Sequence, residues 1–101
     1  METKHTKGEW AVNSANKQEV NSYNGIAIAD CSKSVIIEVR EKEANAKLIA
    51  AAPEMLEAII KAKEMMETAR KYMPKSIKNS DRYEFENVNA AIGNAIYKAT
   101  K

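Results

Sequence analysis

The sequence predicts an α+β protein: a small N-terminal antiparallel β-sheet of about four strands, followed by two long antiparallel helices. Two observations carry this. Up to about Arg40 the chain consists of short β-branched runs separated by turn clusters, and after about Glu41 its apolar residues fall at helical spacing. Only Pro53 and Pro74 interrupt that second pattern, and each sits where a helix can begin or end.

Glu9-Trp10-Ala11-Val12 is a short, partly alternating strand, and Asn13-Ser14-Ala15-Asn16 behind it is a turn cluster. Glu19 to Tyr23 is a second strand. Asn24-Gly25 is the strongest hairpin signal in the chain and predicts a type I′ turn, with positive φ at both residues. It leads into a third strand over Gly25 to Asp30, with Ile26 and Ile28 on one face. Cys31-Ser32-Lys33-Ser34 is a turn, and Ser34 to Arg40 is a β-branched fourth strand.

From Glu41 to Ala52, residues Ala44, Leu48, Ile49 and Ala52 share a helix face. Pro53 kinks this helix or opens the next one. Leu56, Ile59, Ile60, Lys63, Met66, Ala69 and Met73 then form a stripe running to about Tyr72, and Pro74 ends it. Lys75 to Ser80 is a polar connection, with Ser80 or Asp81 able to cap a last helix. In that helix Phe85, Val88, Ala91, Ile92, Ala95 and Ala99 fall on one face. Two long helices joined by a short loop predict a helical hairpin lying over the sheet.

With 101 residues and 45% hydrophobic side chains the chain is expected to be one domain, about 8–40 β-meander and about 41–100 helical hairpin. Many of the apolar residues are alanines, so self-association is a natural way to gain burial. The net charge of +2 comes from scattered basic residues rather than a basic stripe, which argues against a specific nucleic-acid binder and leaves room for a small anionic ligand. Cys31 is the single cysteine, no apolar run reaches the ~20 residues that span a bilayer, and the N-terminus has no apolar signal region. The expected setting is the cytoplasm of the cell that makes the protein, away from membranes.

Enzyme signatures are missing. His5 is the only histidine, and neither a dinucleotide fingerprint nor a P-loop occurs, so no catalytic residue, metal site or cofactor is expected. Glu41 and Glu43 read as solvated charges at a helix start. Three groups can carry binding. Trp10 is a ligand platform or, on its area, a core anchor. Arg82, Tyr83 and Phe85, with Asn87 and Asn89, can stack on a base and pair with phosphate, or else form an ordinary core edge with a wet flank. Arg70, Lys71 and Tyr72 are a phosphate-binding cluster or a basic helix end that complements the dipole. A short loop separates the last two groups, so both can lie at one end of the hairpin. Asn45 and Lys47 can reach a ligand, although the neighbouring alanines suit tight packing.

His5-Thr6-Lys7-Gly8-Glu9-Trp10 and the run from Ala44 to Leu56, ANAKLIAAAPEML, together resemble a family of small phage-encoded proteins that read HTxGxW and then ANAxLIAAAPExL. The C-terminal half is similar only as a further alanine-rich helix. Within that likeness the chain resembles the phage anti-Thoeris sponges, which sequester cyclic ADP-ribose signals and, in some members, cyclic oligonucleotides of the kind that anti-CBASS proteins counter. The resemblance implies a counter-defence protein of the host cytoplasm. It would bind a cyclic nucleotide-type immune signal without cleaving it, as a homo-oligomer from dimer to hexamer. It also implies a pocket that uses an aromatic and an asparagine of the C-terminal half, for which Phe85 or Tyr72, with Asn89 or Asn79, are the matching positions. His5, Lys7, Asn45 and Lys47 complete the candidate ligand residues. The alternative from another class is a phage accessory protein that binds a host protein through its helical face.

Overall fold

The computed structural model describes residues 3–33 and 35–101. The order of elements is β1 (Trp10–Val12), β2 (Glu19–Ser22), β3 (Ala27–Asp30), α1 (Val39–Ala50), α2 (Ala52–Lys71) and α3 (Asn79–Thr100). The class is α+β, as expected. The chain divides into two compact units, Met1–Met55 and Leu56–Lys101, with the boundary inside α2.

In the first unit, β1, β2 and β3 form an antiparallel sheet in that order, with Trp10 opposite Ser22 and Val12 opposite Val20. The alternation of strand side chains puts these four residues on one face. α1 packs against all three strands. Val20 and Ala46 are completely buried, Ser22 nearly so. Burying a valine side chain contributes about 1.5–3 kcal/mol, and an alanine at the helix surface lets the backbone of α1 come close to the sheet.

The β1–β2 turn is held from within. Asn13 Oδ1 accepts from the backbone N–H of Ala15 (2.7 Å) and of Asn16 (3.2 Å), and Asn16 Oδ1 accepts from Gln18 N–H (3.1 Å). These are Asx turns, the reason asparagine favours such positions. The β2–β3 hairpin corrects the expected type I′ turn. Among the described residues no non-glycine residue has positive φ, so Asn24 does not meet its requirement. Gly25 N–H donates to Ser22 O, Ser22 N–H donates to Ile26 O, and Gly25 alone is left-handed at φ 85°. This is a three-residue loop closed by a glycine bulge.

The expected fourth strand is also corrected. Ser34 lies outside the described residues, Val35 to Ile37 form bends, and Val39 and Arg40 already belong to α1. The helix takes the end of the β-branched run at Val39 and Arg40. Val35 is 97% exposed and Ile36 90% exposed. The face of α1 differs too: Ala46 is its buried residue, whereas Ala44 and Leu48 are exposed.

Ala51 separates α1 from α2, and Pro53 is the second residue of α2, where its missing N–H costs no helical bond. In the second unit α2 and α3 run antiparallel: Lys63 meets Asn89, and Arg70, further along α2, meets the earlier Glu86. α3 begins at Asn79 with Lys78 in the cap position and no side-chain cap, so Ser80 and Asp81 stand inside its first turn instead of capping it. Its buried residues are Asn89 and Ile96. The expected face of Val88, Ala91, Ala95 and Ala99 is exposed, because a polar pair at Asn89 takes the inward position that an apolar count assigns to its neighbours.

Candidate functional site

The N-terminal motif is a local clasp. The His5 and Trp10 rings meet edge to face, with centroids 5.9 Å apart at 82°, and the indole N–H donates to Thr6 O at 3.1 Å. Gly8 has φ 90°, and a Cβ there would lie 2.5 Å from Cδ1 of Tyr23. Lys7 is exposed and donates from Nζ to Thr3. These contacts account for the motif's residue types by packing and hydrogen bonding.

The loop end of the hairpin gathers the expected basic and aromatic residues, but the arginines are occupied. Arg70 holds Glu86 bidentately, Nε to Oε1 at 3.1 Å and Nη2 to Oε2 at 2.7 Å, and reaches Glu67 at 3.2 Å through Nη1. Arg82 Nη2 donates to Pro74 O at 3.2 Å, tying α3 to the connecting loop. Tyr72 and Tyr83 are exposed, as is Asn79, while Phe85 is half-buried. Asn89 lies underneath, between the helices. Its Oδ1 accepts from Lys63 Nζ at 2.9 Å and its amide donates to Glu67 at 3.4 Å.

A cleft lies elsewhere, within the first unit. It encloses about 310 Å³ between the β1–β2 turn and α1, lined by Val12, Asn13, Ser14, Lys17, Glu43 and Lys47. Glu43 and Lys47 are four residues apart on α1 and so share a face. The Asx turns present Asn13, Ser14 and Lys17 from a loop already fixed by its own hydrogen bonds. Neither Lys17 nor Lys47 belongs to an ion pair among the described residues. The committed Oδ1 of Asn13 leaves its amide hydrogens as donors, the two ammonium groups suit anionic oxygens, and Glu43 can accept from hydroxyls.

Of the expected ligand residues, only Lys47 reaches this cleft, and Asn45 next to it is exposed. Asn13, Ser14, Lys17 and Glu43 read as turn and solvated charge in the sequence. The usable signal was the Glu43–Lys47 spacing opposite an asparagine-rich turn.

Sheet, helices and cleft define a small α+β protein with a cation-flanked opening in its N-terminal unit. The family model of Salmonella phage P22 protein Y8K6 matches residues 1–100. The chain belongs to that family and is a phage protein. No curated protein and no solved structure matches it. No helix of the described residues is long and apolar enough to cross a membrane.

Proposed function

We propose that this phage protein binds and sequesters a cyclic nucleotide-type immune signal, a cyclic ADP-ribose isomer or a cyclic oligonucleotide, without cleaving it. The observation that carries the reading is the cleft lined by Glu43 and by Lys17 and Lys47, neither of which is ion-paired among the described residues. Two cations can meet a phosphate pair, and a carboxylate can accept from ribose hydroxyls. Membership in a phage family and the resemblance to signal sponges support the same reading.

The cleft volume is near the lower bound of ligand pockets, about 300–1,000 Å³, and a signal with two or more phosphates needs further enclosure. The proposal therefore includes a homo-oligomer, in which another copy supplies the missing wall.

Calorimetry on Lys17→Ala and Lys47→Ala tests the site. Each variant loses a charge-assisted contact, which costs about 1.5–3 kcal/mol, or at least tenfold in affinity. Binding equal to wild type in both variants would remove the cleft from the account.

A further inference from the structure

Glu43 and Lys47 stand one helical turn apart on α1, in the order and spacing at which a carboxylate and an ammonium pair along a helix. On α2 the same spacing closes: Glu57 meets Lys61 at 3.5 Å, although both are well exposed. In the cleft it does not. Among the described residues Glu43 belongs to no ion pair, and neither does Lys47 or Lys17. Glu43 is half-buried in the cleft wall, whereas the two lysines are exposed.

This arrangement selects among anions. A carboxylate beside two cations repels a bare phosphate and so weakens its binding. An ionised carboxylate only accepts hydrogen bonds, so it favours a ligand that brings hydroxyl donors alongside its phosphates. The 2′ and 3′ hydroxyls of ribose stand on neighbouring carbons and offer one donor to each carboxylate oxygen. Acidic side chains hold ribose through its hydroxyls in dinucleotide-binding folds by the same chemistry. Val12 presents an apolar surface to the carbon atoms of the sugar, and the Asn13 amide is a further donor for phosphate oxygens. At about 310 Å³ the cleft is at the small end of ligand pockets, a size suited to one sugar with its phosphates rather than to several nucleotides.

We infer that Glu43 is the specificity-determining residue of this cleft, accepting from the 2′ and 3′ hydroxyls of a ribose whose diphosphate lies on Lys17 and Lys47. The inference rests on the cleft reading above and deepens it by naming the unit taken, a ribose diphosphate with both hydroxyls free. A ribose joined to a neighbour through either oxygen offers one donor fewer and is held more weakly.

The test uses two probes that differ only in the hydroxyl pair, ADP and 2′,3′-dideoxy-ADP, with calorimetry on the full chain. Wild type is expected to bind ADP at least tenfold more tightly, the worth of a hydrogen bond to a charged group. Glu43→Ala keeps a strong helix former in α1 and is expected to bind both probes equally. Glu43→Gln retains an acceptor without the charge and should keep part of the preference. Lys47→Ala should weaken both probes and leave their ratio unchanged. Equal affinities in wild type, or a preference that persists in Glu43→Ala, would overturn the inference. If Lys47→Ala still weakened both probes in that case, the cleft would stand and only the role of Glu43 would fall. A wild type that binds neither probe would also overturn the inference, while capture of an intact cyclic signal tests the proposed function separately.

Discussion

Lys63 donates from Nζ to Oδ1 of Asn89 at 2.9 Å across the α2–α3 interface, where Asn89 is only 4% exposed. The Lys63 ammonium also reaches Glu67 at 3.1 Å. A polar group in such a position costs free energy unless its partners are in place, so the pairing fixes which residues of the two helices meet.

Asn89→Ala is therefore expected to destabilise the protein by about 1–3 kcal/mol, the cost of removing a buried partner from a charged group. Urea unfolding should show a lower midpoint with an unchanged slope. A midpoint equal to wild type would mean that the pair does not hold the register.

Glu67 should make stability fall in acid. The hydrogen bond from Lys63, followed by that from Asn89, holds its carboxyl below the ordinary value of 4.5, with Arg70 adding to the effect. Because the folded-state value is the lower one, this stabilisation is complete above the unfolded value and is lost as pH falls through the folded one. The side chain is 44% exposed, so solvent screens the effect and the change is modest. Urea midpoints from neutral pH to below 4.5 should decline less steeply in Glu67→Gln than in wild type. Parallel curves would contradict the assignment.

Gly8→Ala is expected to cost more stability than Gly25→Ala. Both glycines have positive φ, which by itself costs a non-glycine residue about 1–2 kcal/mol. At Gly8 the added Cβ also meets the Tyr23 ring at 2.5 Å, whereas at Gly25 it meets open space. Thermal melts of the two variants decide this, and equal losses would remove the packing role given to the N-terminal motif.

Arg70→Ala should leave signal binding unchanged, because its guanidinium is engaged by Glu86 and Glu67. Its loss should lower stability by at most about 1 kcal/mol, as for other exposed pairs. Affinity should weaken as salt rises, but less steeply than for a protein that neutralises many phosphates. If Arg70→Ala abolishes binding while Lys47→Ala does not, the site lies at the loop end of the hairpin.

How much of this was legible follows the length of each signal. The periodicity from Leu56 to Met73 is long, and α2 lies where it predicts. The two prolines mark helix ends because the missing N–H acts locally. Short signals carried less. The β-branched run after Ser34 has strand composition, yet α1 begins within it at Val39. Asn24-Gly25 identified the hairpin but not its loop length, since one left-handed glycine serves a three-residue loop as well. On α3 an apolar count selected Val88 and Ala95, because pairing between Asn89 and Lys63 depends on a residue far away in sequence. The cleft was hidden for the same reason: Lys17 and Lys47 converge only once α1 lies on the sheet.

The most direct test of non-destructive capture is recovery of the ligand. The protein is incubated with cyclic ADP-ribose isomers and cyclic oligonucleotides, separated from free ligand by filtration, and heated to unfold it. The account predicts that one of these signals is retained by the folded protein and released chemically intact. Release of a linear or hydrolysed product, or retention of none of them, would contradict it.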